Sequence, residues 1–217
     1  GFLATGTGND RFATGYYLGD DVPFSSQLAR RFTVCDRSFA SVLGPTYPNR
    51  EYLHSGQSGG YKNNYLPIDE GGFGWPTIWE KLGAAGVPAG YFFVDLPVTA
   101  LFGARLNPFA APIDQYFERC AAGTLPNVTY LDPGFVGGSR SDNHPHADIR
   151  AGEAFVRDAF KAFVESPHWQ RGLFILTYDE WGGFFDHVAP PVLPDLLSST
   201  ADSENFGQTG FRVPTIL

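Results

Sequence analysis

The sequence predicts an α/β fold, with a mostly parallel central sheet flanked by helices. Three observations carry that expectation. Short apolar runs of β type alternate with amphipathic helical stretches along the chain. Gly and Pro, at 26 and 17 residues, punctuate most of the junctions between them. The length of 217 residues suits one domain with a sizeable core, and neither an internal repeat nor a domain boundary is visible.

In chain order, Asp20-Asp21-Val22-Pro23 ahead of residues 24–31 reads as a capped, proline-started helix with Phe24, Leu28 and Phe32 on one stripe. Thr33 to Cys35 reads as a short strand. Gly44-Pro45 breaks the element before it, and Pro48 fits the first turn of a helix running through Leu53. Helices are expected at Thr77 to Ala85 and Ile113 to Ala122, and strands at Tyr91 to Val94 and Val128 to Leu131. The longest helix spans Asp148 to Glu165, its apolar face formed by Phe155, Val156, Ala159, Phe160 and Phe163. Leu173 to Tyr178 is an unbroken apolar run, expected as a central strand covered on both faces. Residues 213–217 read as the next strand, and the polar, Ser-rich stretch 195–208 as a mobile loop.

A net charge of −8 argues against general nucleic-acid binding, which needs a basic footprint. No window is apolar enough for an integral membrane segment. Cys35 and Cys120 lack metal-type spacing and are expected as buried free thiols, with a disulfide open only if the fold brings them together. The chain begins at Gly1 and stops within an apolar pattern, so both ends read as cut and the compartment stays open.

Three segments could carry chemistry. Asp179-Glu180 ends the apolar run at Tyr178, where ligands gather in open α/β sheets. Two adjacent carboxylates at a buried strand end repel each other unless a cation sits beside them. Gly182-Gly183 then lets the chain turn back with Asp186 and His187. A solvated turn whose acids bond the backbone is the alternative. Thr46 stands between two prolines, where a helix N-terminus favours an anion, with Asn49, Arg50 and His54 close behind it. That suits a nucleophile with phosphate-binding neighbours, and local grounds equally allow a helix N-cap. Asn143-His144-Pro145-His146 is the third segment, in which His144 could act as an acid or ligand or simply face solvent.

Three runs, Phe32-Thr33-Val34-Cys35-Asp36-Arg37, Gly44-Pro45-Thr46-Tyr47-Pro48-Asn49-Arg50 and Thr177-Tyr178-Asp179-Glu180-Trp181-Gly182-Gly183-Phe184-Phe185-Asp186-His187-Val188, together resemble the bacterial and plant phosphoesterase family. Non-specific phospholipases C and a group of acid phosphatases belong to that family. The resemblance covers Phe12 to the last residue, and Asp142-Asn143-His144-Pro145 before the long helix adds to it.

The resemblance implies an alkaline-phosphatase-like fold and a divalent cation, of open identity, beside a Thr or Ser nucleophile. Thr46 matches the nucleophile. Asp179 and Glu180 match the acidic metal ligands, with Asp186 as a further one, while His144 and His187 match polar positions suited to acid–base work. The implied substrate is a phospholipid or a small phosphate ester, with peripheral membrane contact and export in view. A Glu-Asn pair that the family carries upstream has no counterpart here, so the chain reads as a partial domain. Residues 1–217 alone are accordingly expected to show little turnover. The alternatives are an acid phosphatase acting on monoesters and a non-catalytic module binding phosphate or lipid headgroups.

Overall fold

The computed structural model describes residues 11–194 and 207–217, so the stretch expected to be mobile lies outside the described residues apart from its last two. The chain divides into two compact units, one from residues up to 65 together with those from 175 onward, the other from residues 66–174.

The 66–174 unit holds the parallel sheet. Its strands β1 (Ala89–Phe93), β2 (Ala110–Pro112) and β3 (Val128–Asp132) lie in the order β2-β1-β3, with β1 parallel to both neighbours. Helices α3 (Ile78–Ala84), α4 (Asp114–Ala122) and α5 (Ile149–Val164) flank it, close to the spans predicted. Thr77 and Glu80 start α3 with a reciprocal capping box, satisfying two backbone N–H groups that the helix leaves open. Phe92, Tyr116, Cys120 and Ala159 form one apolar cluster joining β1 to α4 and α5. The Tyr116 hydroxyl donates to the Ala159 carbonyl at 2.7 Å, so burying this ring strands no polar atom. Each such aromatic contributes about 1.5–3 kcal/mol through burial. This α/β arrangement is consistent with an alkaline-phosphatase-like fold.

The other unit is built differently. Helices α1 (Pro23–Arg31) and α2 (Thr46–Ser55) accompany strands β4 (Leu176–Thr177) and β5 (Thr215–Ile216), which pair antiparallel. Residues 33–42 run back along 210–217: Cys35 N donates to Thr215 O, Val213 N to Ser38 O, and Gly210 N to Ala40 O, each at 2.9 Å. Val34 makes a single antiparallel bridge to Ile216 where a short strand was expected.

The apolar run before Asp179 is a correction. It is not a central strand covered on both faces, because among the described residues only Leu176–Thr177 pair, and Leu173 and Ile175 are 68% and 54% exposed. An apolar run shows β propensity but does not choose the partner. The helix-start reading is also adjusted, since the Asp21 carboxylate accepts from Leu18 N at 2.8 Å and Val22 is the cap position of α1. Both cysteines are free thiols, Cys120 buried and Cys35 half-buried. No helix among the described residues is long and apolar enough to cross a membrane.

Candidate active site

Thr46 is the first residue of α2, and Pro45 occupies the cap position without a side-chain bond. The N-cap alternative for Thr46 therefore falls away. Four N–H groups normally stand open at a helix start. Here Pro48 has none, and Tyr47 N donates to Asn64 Oδ1 at 2.9 Å. The expected array of N–H groups facing an anion thus contracts to Thr46 itself. Neither its N–H nor its hydroxyl is engaged among the described residues.

One turn along the helix, Arg50 Nε donates to Asp179 Oδ2 at 3.0 Å, between side chains 8% and 20% exposed. This bond ties the helix headed by Thr46 to the loop after β4. Residues four apart lie on one helix face, so the residue that binds Asp179 sits one turn from Thr46 on the same face.

The loop is anchored at two further points. Trp181 packs edge-on against Phe211 and lies against Gly210, where a β-carbon would collide with it. Arg212 grips both oxygens of Asp186 at 2.6 and 2.8 Å. Between these anchors Gly182 and Gly183 take φ values of 66° and 79°, which only glycine adopts freely. The Glu180 carboxylate accepts from Gly182 N at 2.6 Å.

Several predicted contacts take other roles. Asn49, expected to touch phosphate, is buried, and its amide is committed to backbone. Oδ1 accepts from Val42 N, while Nδ2 faces the carbonyls of Gly44 and Pro45 at 3.0 Å and of Val42 at 3.4 Å. His54 is 1% exposed and so not open to a substrate. Burial, helped by the Arg50 charge, pulls its pKa to about 3, so the ring is neutral. Asp186 is not a metal ligand in this arrangement, because the Arg212 guanidinium holds both its oxygens and pulls its carboxyl down to about 2. His187 is exposed, with Nδ1 3.5 Å from Asp186 Oδ1. His144 lies in the other unit, exposed, its Nδ1 3.1 Å from the Pro145 carbonyl.

Sequence reasoning missed Glu51. It is fully buried, and neither carboxylate oxygen has a hydrogen-bond partner among the described residues. The legible signal is an inverted helix: α2 buries Asn49, Arg50, Glu51 and His54 but leaves Leu53 48% exposed. Desolvation disfavours the charged form and raises the Glu51 pKa to about 8. Between about pH 4.5 and 8 the folded chain therefore keeps a proton that the unfolded chain releases. Stability is greatest below that window and falls as pH rises through it. At about 1.4 kcal/mol per pKa unit the loss is of order a few kcal/mol. Urea unfolding at pH 5 and pH 8 should show a larger drop in the wild type than in Glu51→Gln. Parallel losses in the two proteins would mean that Glu51 is ionised in the fold.

The sequence model of the Phosphoesterase family matches residues 1–217. This chain belongs to the phosphoesterase family. Among curated phosphoesterase relatives, it is 36% identical to non-specific phospholipase C4 of Arabidopsis thaliana, covering 89% of this chain and 38% of that protein. It is 34% identical to non-specific phospholipase C5 of the same plant, over 90% of this chain and 40% of that protein. With phospholipase C B of Mycobacterium tuberculosis it shares 30%, over 97% of this chain and 48% of that protein. The chain thus spans less than half the length of each.

A divalent cation, which the phosphoesterase resemblance implies, can be tested against these side chains. Hard cations take carboxylate oxygens, and Asp179 Oδ1 makes no hydrogen bond among the described residues. Asp179 and the neighbouring Glu180 fit as donors, and Asp186 does not. No three His, Cys, Asp or Glu side chains among the described residues cluster closely enough to hold a metal.

Proposed function

We propose that the protein hydrolyses phosphate esters in the manner of a phospholipase C, with Thr46 as the nucleophile. The observation that carries this reading is the Arg50–Asp179 bond. It draws the helix headed by an unengaged Thr46 to the acidic strand-end loop. The phospholipase names of the relatives support the substrate class.

In the proposed reaction Thr46 Oγ bonds to phosphorus in line as the bond to the leaving alcohol breaks. The hydroxyl gives up its proton to water, and the departing oxygen gains one from His187 as acid. Water then cleaves the phosphothreonine, releasing the phosphate product and restoring the hydroxyl. The Thr46 N–H donates to a phosphate oxygen, and Arg50 holds Asp179 in place. Asp179 and Glu180 would hold the divalent cation, which supplies charge neutralisation at phosphate and a lower pKa for the Thr46 hydroxyl. A phospholipid substrate brings peripheral membrane contact with it.

The test is to express the protein from its full coding sequence and assay it with Mg, Mn, Ca or Zn. The substrates are p-nitrophenyl phosphorylcholine and p-nitrophenyl phosphate. Metal-dependent cleavage of the diester is expected. Preference for the monoester would move the protein to the phosphatases, and no turnover of either would overturn the reading.

A further inference from the structure

Two asparagine amides bracket Thr46 along the backbone. On the upstream side Asn49 Oδ1 accepts from Val42 N at 3.0 Å, and its Nδ2 binds the carbonyls of Gly44 and Pro45, each at 3.0 Å. One buried side chain thereby closes residues 42–45 into a fixed turn leading to Thr46. On the downstream side the exposed Asn64 reaches across 17 positions, and its Oδ1 takes the N–H of Tyr47 at 2.9 Å. Prolines at 45 and 48 remove two more donors and restrict φ on either side. The Thr46 N–H and hydroxyl make no hydrogen bond among the described residues.

We infer that Asn49 and Asn64 are positioning residues for Thr46, resting on the reading of Thr46 as the nucleophile. Asn49 fixes where the helix begins. Asn64 holds the second N–H, so that an incoming phosphate meets the Thr46 N–H and Oγ together rather than sliding along the helix end. Neither asparagine needs to touch substrate. Misplacing a reacting atom by about an ångström costs roughly a hundredfold in rate, whereas losing one exposed hydrogen bond changes stability little.

Asn64→Ala, Asn64→Asp and Asn49→Ser test this in protein made from the full coding sequence. Each is followed by kcat, KM, melting temperature and the exchange rates of the Tyr47 and Val42 amide protons. Asn64→Ala should melt within a few degrees of wild type, expose the Tyr47 amide to faster exchange and lose about ten- to a hundredfold in kcat, with KM changed by less than about threefold. Asn64→Asp keeps the acceptor and should restore kcat, although its charge should raise KM for an anionic substrate. Asn49→Ser should release the Val42 amide and lower kcat as well. If it fails to fold, the two Asn64 variants decide the matter alone. Wild-type kcat in Asn64→Ala despite a freed Tyr47 amide would overturn the inference, as would failure of Asn64→Asp to restore it. Thr46→Ala, run alongside, separates the two ideas. Full activity there removes the nucleophile reading and this inference with it, whereas lost activity there with normal asparagine variants removes only the positioning.

Discussion

Thr46→Ala is expected to remove phosphoesterase turnover by several orders of magnitude while leaving the melting temperature almost unchanged. The two halves of that expectation have separate physical grounds. Losing a nucleophile removes the covalent route altogether, and what survives is binding and electrostatics. The stability half follows from the place of Thr46 in α2. Pro45, not Thr46, occupies the cap position, and the Thr46 hydroxyl makes no hydrogen bond among the described residues. Alanine at the first helical position therefore deletes a methyl and an unengaged hydroxyl, a change worth about 0.5 kcal/mol or less. A true N-cap would have cost about 1 kcal/mol and left turnover alone. Steady-state kinetics and thermal melts of the two proteins distinguish the outcomes. Turnover within tenfold of wild type would exclude Thr46 as the nucleophile.

Much of the architecture was legible because its signals are local. The helix at Thr77 to Ala85 and the periodicity of residues 148–165 need only a few neighbouring residues to be read. Partner choice is not local, which is why the run before Asp179 misled. Its apolar composition is real, but β5 meets only two of its residues, and antiparallel. The site divides along the same line. Gly182-Gly183 between two acidic segments announced a tight turn, and both glycines adopt positive φ. What the acids bind could not be read. Asp186 is claimed by Arg212, 26 positions away, and Asp179 by Arg50, 129 positions away. Asn49 was read as a ligand contact because a polar residue beside a nucleophile looks like one. Only the position of the Val42 to Pro45 backbone shows that its amide is already spent. Glu51 went unnoticed because a glutamate within a helix is ordinary until the face it occupies is known.

Asp179→Asn is expected to remove turnover too, but unlike Thr46→Ala it should also destabilise the fold. The substitution keeps the shape of the side chain and deletes its charge. Arg50, whose side chain is 8% exposed, then loses the carboxylate charge that its Nε binds. Breaking a buried pair from one side costs about 3–5 kcal/mol. Asp179 is 20% exposed and so partly screened, which puts the expected loss nearer about 1–3 kcal/mol. A double-mutant cycle with Arg50→Gln separates structure from chemistry. Removing both charges leaves neither partner of this bond charged, so the double variant should recover part of the stability lost by Asp179→Asn, with a coupling of about 1–3 kcal/mol in urea unfolding. Turnover should not recover with it, because a carboxylate that serves the reaction is missing in both proteins. If Asp179 is only a counter-ion for Arg50, restoring neutrality should bring back stability and activity together. Recovery of both in the double variant would remove Asp179 from the proposed chemistry and leave it as the post to which α2 is tied.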